Sequence, residues 1–199
     1  MTPRHVIAPL IPLVALTALA LQGCVAAVVG GAATVGVATA QERSIGDALD
    51  DAVIYANVNH ELLETDVDLY RAIGIEVVEG RVLLTGVVRS PDDRVEAVRL
   101  AWQAPGVKEV INEIQVTDKS TLADFARDSW ISTQLKSKLL FDKRIRDINY
   151  NVETVNGVVY MIGVAQDQAE LERATNHART IRHVRQVVSH VRLKAPPAS

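Results

Sequence analysis

Cys24 and three imidazoles near the C-terminus, His177, His183 and His190, carry most of the reactive chemistry this sequence could offer. A metal centre needs ligands at convergent spacing. These histidines stand six and seven residues apart, across what the pattern reads as a helix, a turn and a strand, and no paired cysteine or nearby carboxylate completes a ligand set. Neither a metal nor another cofactor is expected. A phosphate-cradling loop would place glycines between a strand and a helix. Val28–Gly31 (VVGG) precedes any folded element, and the glycines of GVVYMIG, residues 157–163, fall inside strand pattern, where glycine marks a bulge or close packing. With no nucleophile set beside a base, no catalytic residue is expected and the chain is read as a non-enzyme.

The single cysteine needs a separate explanation, since it closes no internal disulfide. Arg4 and His5 make a short basic start, and Val6 to Leu21 is almost unbrokenly apolar, the layout of a secretory signal peptide. The stretch ends in LQGC, residues 21–24, which resembles the bacterial lipobox, where the cysteine is diacylated and becomes the first residue of the mature chain. On this reading residues 1–23 are a lipoprotein signal peptide, and residues 24–45 are the lipidated Cys24 and a flexible tether. A transmembrane anchor is the alternative, because Val25 to Ala40 prolongs the apolar character. That run is Gly, Ala, Val and Thr rather than the Leu, Ile and Phe of a span of about 20 residues. Two or three acyl chains would hold the protein on a bilayer, each buried methylene contributing about 0.8 kcal/mol. Val25 stands where lipoproteins kept at the inner membrane carry Asp, so the lipobox resemblance implies export to the outer membrane.

Polar residues 117–121 (TDKST) divide two regions that repeat at an offset of 77. Leu139 and Leu140 fall on Leu62 and Leu63, Gly157 on Gly80, Gly163 on Gly86, and Val184 on Val107, with no gap from Ile54/Ile131 to Val116/Leu193. A fixed offset over that length means tandem domains, placed at 46–117 and 122–194, with 195–199 as a tail. In the first copy Ile54, Val58 and Leu62 share one helical face over Asp50–Glu64. β-Branched runs at Ile73–Val78 and Arg81–Val88 meet at Glu79-Gly80, a hairpin turn. Ser90-Pro91 opens a helix that Pro105-Gly106 ends, and Glu109–Val116 alternates as a last strand. The second copy reads likewise: helices at about Asp128–Phe141 and Asp167–Ile181, strands near Tyr150–Val155, Val158–Val164 and Arg185–Leu193. The fold class predicted is α+β: each copy is helix-strand-strand-helix-strand, with a small mixed sheet packed on two helices. Each copy alone buries a marginal core, which predicts that the two pack together.

Charge separates the copies. Residues 41–117 carry 7 basic against 15 acidic side chains, a net −8, whereas residues 118–194 carry 13 against 9, a net +4. An acidic copy is repelled by anionic lipid and a basic one attracted. On a helical wheel Ile131, Leu135 and Leu139 form the core stripe of the second copy's first helix. The face turned away carries Trp130, Thr133, Ser137 and Leu140, with Lys136 nearby. Indole favours the headgroup level of a bilayer, and each basic residue adds about 1 kcal/mol at an anionic surface. A blander arrangement is equally open here: Trp130 covering the junction with the first domain, and Leu140 in the core like Leu63. A nucleic-acid partner suits the basic copy electrostatically but not an exported, lipidated chain, so none is expected.

The units VVEGRVLLTGVV and VETVNGVVYMIGVA, each followed by a helix and a GV-type strand start such as PGVKEV, resemble the BON domain. LQGCVAAVVG, RSIGDALDD and DSWISTQLKSKLL extend the resemblance to outer-membrane BON lipoproteins. His183 stands where a glycine is expected before Val184, so the last turn of the second copy should differ. The resemblance implies a periplasm-facing, lipid-anchored outer-membrane protein whose second domain contacts anionic phospholipids such as phosphatidylglycerol and cardiolipin. It maps that contact onto Trp130, Thr133, Lys136, Ser137 and Leu140, with Lys138 at a further polar position. It also implies a role in envelope integrity, at division sites and near the outer-membrane protein assembly machinery. The alternative is a structural adaptor that binds protein or peptidoglycan and uses lipid only as a tether.

Overall fold

The computed structural model describes residues 45–195; the signal segment, Cys24 and nearly all of the tether and tail lie outside the described residues. The first copy runs α1 (Ile45–Thr65), α2 (Val67–Ala72), β1 (Ile73–Val78), β2 (Arg81–Val88), α3 (Pro91–Gln103), β3 (Glu109–Asn112) and β4 (Gln115–Val116). The second runs α4 (Leu122–Phe141), a 3-10 turn at Asp147–Asn149, β5 (Tyr150–Val155), β6 (Val158–Ala165), α5 (Gln168–Arg179) and β7 (Gln186–Leu193).

The sheets are mixed. β2 pairs antiparallel with β1 and parallel with β3 and β4, and β6 pairs antiparallel with β5 and parallel with β7. Both hairpins turn on two left-handed residues, Glu79-Gly80 (φ 57° and 76°) and Asn156-Gly157 (φ 50° and 75°), which matches the twist of the flanking strands. Gly163 answers a different need: a Cβ there would collide with the Asn149 carbonyl oxygen, so glycine lets the chain leading into β5 cross close to β6.

Several elements depart from the sequence pattern. α1, expected over Asp50–Glu64, begins five residues earlier, at Ile45. α2 was not expected; Asp66 caps it, its side chain accepting from the amides of Asp68 (2.7 Å) and Leu69 (3.1 Å). The last strand of the first copy, expected unbroken over Glu109–Val116, is interrupted where Asn112 Oδ1 accepts from the Ile114 amide (3.1 Å), competing with the ladder and turning Ile114 into the core. α4 begins six residues before Asp128, because Thr121 and Asp124 cap each other reciprocally there.

Each sheet buries one face under its own helices. Ile54, Val58, Leu62, Val82, Leu84 and Leu100 fill the first core, and Ile131, Leu135, Leu139, Val152, Val159 and Met161 fill the second. The opposite faces of the two sheets meet in a third layer, where Val78 and Leu83 pack with Tyr160, Ile162 and Val164. Burial on both sides explains why β2 and β6 are apolar almost throughout rather than alternating.

The two copies associate like the halves of a symmetric dimer. Glu113 and His190, 77 positions apart and therefore equivalent, bond to each other at 2.8 Å. Gln115 accepts from Asn156 (2.8 Å), and the equivalent residues Arg192 and Glu79 pair at 3.5 Å. Self-matching contacts of this kind are the signature of an approximate two-fold axis. Ile162→Ala, at the centre of the shared layer, should cost about 2–5 kcal/mol in chemical denaturation of the full chain in neutral detergent. A loss below about 1 kcal/mol would show that the sheets are not closely packed there.

Candidate functional site

The rotation of α4 decides what this helix offers to its surroundings. At 1.5 Å per residue its 20 residues span about 30 Å. Ile131, Leu135 and Leu139 are buried against the sheet, and on the same side lies Asp128, also buried. The Asp128 carboxylate accepts from two successive amides of the hairpin turn, Asn156 N–H (2.6 Å) and Gly157 N–H (2.8 Å). In the first copy Asp51 does the same for Glu79 (2.9 Å) and Gly80 (2.8 Å). A buried carboxylate so bonded is a strong, directional tether, and it had no signature in the hydrophobic pattern.

With that side pinned, the opposite side faces outward. Trp130 is 44% exposed, Leu140 60% and Phe141 81%. The Thr133 and Ser137 hydroxyls on this face donate back to the carbonyls of Ser129 (2.8 Å) and Thr133 (2.9 Å). Their protons are already satisfied, so covering the face with apolar matter carries a small desolvation cost. Leu140 is therefore not a core residue, and neither is Leu63, its counterpart. Trp130 makes its ring contact within its own domain, edge-on to His183 at 6.4 Å between centroids.

Trp130, Thr133, Ser137 and Leu140 thus share one face, with Lys136 exposed at its edge. Lys138 is half-buried and, at 100° per residue, stands about 120° round from the centre of that face. The sequence pattern did not find Leu122 and Phe125, which are 84% and 70% exposed in the first turns of α4. The reciprocal cap of Thr121 and Asp124 was the signal for those turns. The three histidines separate: His177 bonds Asp142 (2.9 Å), His190 bonds Glu113, and His183 meets Trp130. Among the described residues no group of three or more His, Cys, Asp or Glu is arranged to hold a metal ion.

Beside Lys136 a cavity of about 410 Å³ opens between the domains, with Glu76, Asn151 and Leu140 in its lining. Glu76 accepts from Asn151 Nδ2 at 2.7 Å. Burial, and then repulsion from its equivalent Glu153, lifts the Glu76 carboxyl from the ordinary 4.5 to about 7, against the pull of Lys136 and of the Asn151 hydrogen bond. Glu153 is raised as well, chiefly by burial, with Lys136 opposing. Because the folded value of Glu76 lies above the unfolded one, the native state holds more protons between about pH 4.5 and 7. Its contribution to stability is full below that interval and is lost as pH rises through it. The melting temperature of the full chain should accordingly fall from pH 5 to pH 8 more steeply than that of Glu76→Gln; parallel curves would contradict the assignment.

Comparison with known proteins supports the architecture. The model of the family described as BON domain matches residues 50–118 and 127–195. An uncharacterized protein in the gshII 5' region of Anaplasma centrale is 46% identical over 73% of this chain and 96% of its own length. The outer membrane lipoprotein DolP of Haemophilus influenzae is 37% identical over 84% of this chain and 87% of its own. A 21 kDa hemolysin of Actinobacillus pleuropneumoniae is 36% identical over 73% and 75%. Two matched copies, a shared strand order and relatives that span most of both chains lead to one assignment: this chain belongs to the BON-domain family and carries two BON domains in tandem.

Proposed function

We propose that this protein is an outer-membrane lipoprotein, anchored through Cys24 and facing the periplasm, whose second BON domain docks on anionic phospholipids such as phosphatidylglycerol and cardiolipin. The observation that carries this reading is the outward face of α4: an indole and a leucine among self-satisfied hydroxyls, on a domain that is net basic beside one that is strongly acidic. An aromatic ring at headgroup level with cations nearby is the arrangement that a charged bilayer surface favours. The acidic first domain adds orientation, since repulsion turns it away from the surface that attracts its twin. Likeness to a relative named as an outer membrane lipoprotein supports the location, as does the LQGC motif. Among the described residues no helix is long and apolar enough to cross a membrane, which is compatible with a lipid anchor. On the family resemblance, the proposal extends to a role in envelope integrity at division sites and near the outer-membrane protein assembly machinery.

The chain has two tryptophans, so Trp102→Phe leaves Trp130 as the reporter. In neutral detergent micelles, added phosphatidylglycerol should shift Trp130 emission to the blue while phosphatidylcholine should not. Lys136→Glu should weaken the response about 30-fold, since one cation is worth about 1 kcal/mol and reversal about doubles that. In the chain that keeps Trp102, Trp130→Glu should abolish lipid-dependent chemical shifts on α4. Binding that ignores both substitutions would remove this helix from the function.

A further inference from the structure

The two copies keep an equivalent cavity whose net charge has changed sign. In the first copy it opens between the start of α1, the β1–β2 turn and the loop after α3, with about 390 Å³ of space. Its charged lining is Asp47, Asp50, Asp51 and Glu79 against Lys108. In the second copy the same place, between the start of α4, the β5–β6 turn and the loop after α5, holds about 350 Å³. Here the charged lining is Lys119, Arg127 and Arg185 against Asp124, with His183 beside them. At the offset of 77, Asp50 has become Arg127, Glu79 has become Asn156, Gly106 has become His183, and Lys108 has become Arg185.

Three details make the second cavity more than a basic surface. Arg127 is held in place by Asp124 (2.6 Å), which is itself occupied in capping α4, and both residues line the opening. Arg185 donates to the Asn156 carbonyl (3.3 Å), and among the described residues neither it nor Lys119 pairs with a carboxylate. His183 occupies left-handed backbone, φ 71°, where the first copy uses Gly106 at φ 90°. Left-handed backbone is uncommon outside glycine, but histidine is among the residues that adopt it, so the exchange keeps the turn and adds an imidazole at this point. Its imidazole lines the cavity on one side and meets the Trp130 ring on the other.

We propose that this cavity is the seat of the phosphate group of an anionic glycerophospholipid, with His183 linking the seated headgroup to Trp130 at the interface. The inference rests on the lipid-docking reading of α4 and names where the headgroup goes. The volume lies at the small end of the range of about 300–1,000 Å³ usual for ligand sites, which suits a headgroup and excludes its acyl chains. Planar guanidinium forks from Arg127 and Arg185 are suited to phosphate oxygens.

The test is NMR titration of the full chain in neutral detergent micelles with three probes: inorganic phosphate, short-chain phosphatidylglycerol and short-chain phosphatidylcholine. Arg127, Arg185 and His183 signals should saturate with phosphatidylglycerol, respond weakly to phosphate and ignore phosphatidylcholine. Arg185→Glu should weaken phosphatidylglycerol binding about 30-fold, from about 1 kcal/mol per cation doubled by reversal. Lys108→Glu in the matching cavity of the first copy should leave it unchanged. His183→Gly should weaken binding while the melting temperature holds or rises, a pairing that a merely structural histidine would not give. Saturation by phosphate with no response to the lipid would overturn the lipid assignment. Lipid binding that survives Arg185→Glu and His183→Gly but is lost in Trp130→Glu would overturn the cavity and leave the helix face standing. Indifference to all three would remove both.

Discussion

The carboxylate of Asp128 sits below the surface and accepts two amides of the β5–β6 turn, and much of the second domain is organised around that junction. A buried charge is tolerated only when its hydrogen bonds are made, and each amide left unsatisfied would cost about 1–3 kcal/mol. The bond pair therefore fixes both the rotation of α4 and its position along the hairpin. Trp130 follows two residues later and has to emerge on the open side. The turn that Asp128 holds, Asn156-Gly157, is also a wall of the basic cavity. A single anchored carboxylate thus locates the apolar face and the cationic pocket relative to each other. Asp51 repeats the device in the first copy, so it belongs to the fold, and what differs is the chemistry mounted on it.

That difference is electrostatic and local. The shared sheet layer and the equivalent-residue contact of Glu113 with His190 hold the copies about an approximate two-fold axis. Symmetry of scaffold with asymmetry of charge gives one net-acidic and one net-basic half, and on the proposed docking the basic half is the one that meets an anionic surface. Lys136 stands at the border, its ammonium shared between the outward face and the raised carboxyls of Glu76 and Glu153 in the seam. The domain junction and the proposed docking face are therefore in electrical contact.

Much of this was legible in the sequence, because hydrophobic spacing and turn residues record local geometry directly. The 77-residue repeat, the hairpins and the bounds of β1, β2 and β5 follow from alternation and from Gly80 and Gly157. The stripe of Ile131, Leu135 and Leu139 follows from helical spacing. What escaped depended on single polar side chains meeting distant or local backbone. Asp128 bonds amides 28 and 29 residues away. Asn112 interrupts β3 through its own neighbour. Thr121 starts α4 early and so brings Leu122 and Phe125 into the helix. His183 was noticed as a missing glycine, but its meeting with Trp130 exists only in three dimensions.

The most direct measurement of the central idea is paramagnetic broadening of the full chain's amide and indole signals in bicelles containing phosphatidylglycerol and a headgroup-attached gadolinium chelate. The account predicts that the Trp130 indole and the amides of Thr133, Ser137 and Leu140 broaden first, with His183 and Arg185 close behind and α1 and α3 untouched. Broadening centred on the first domain, or spread evenly over both, would contradict it.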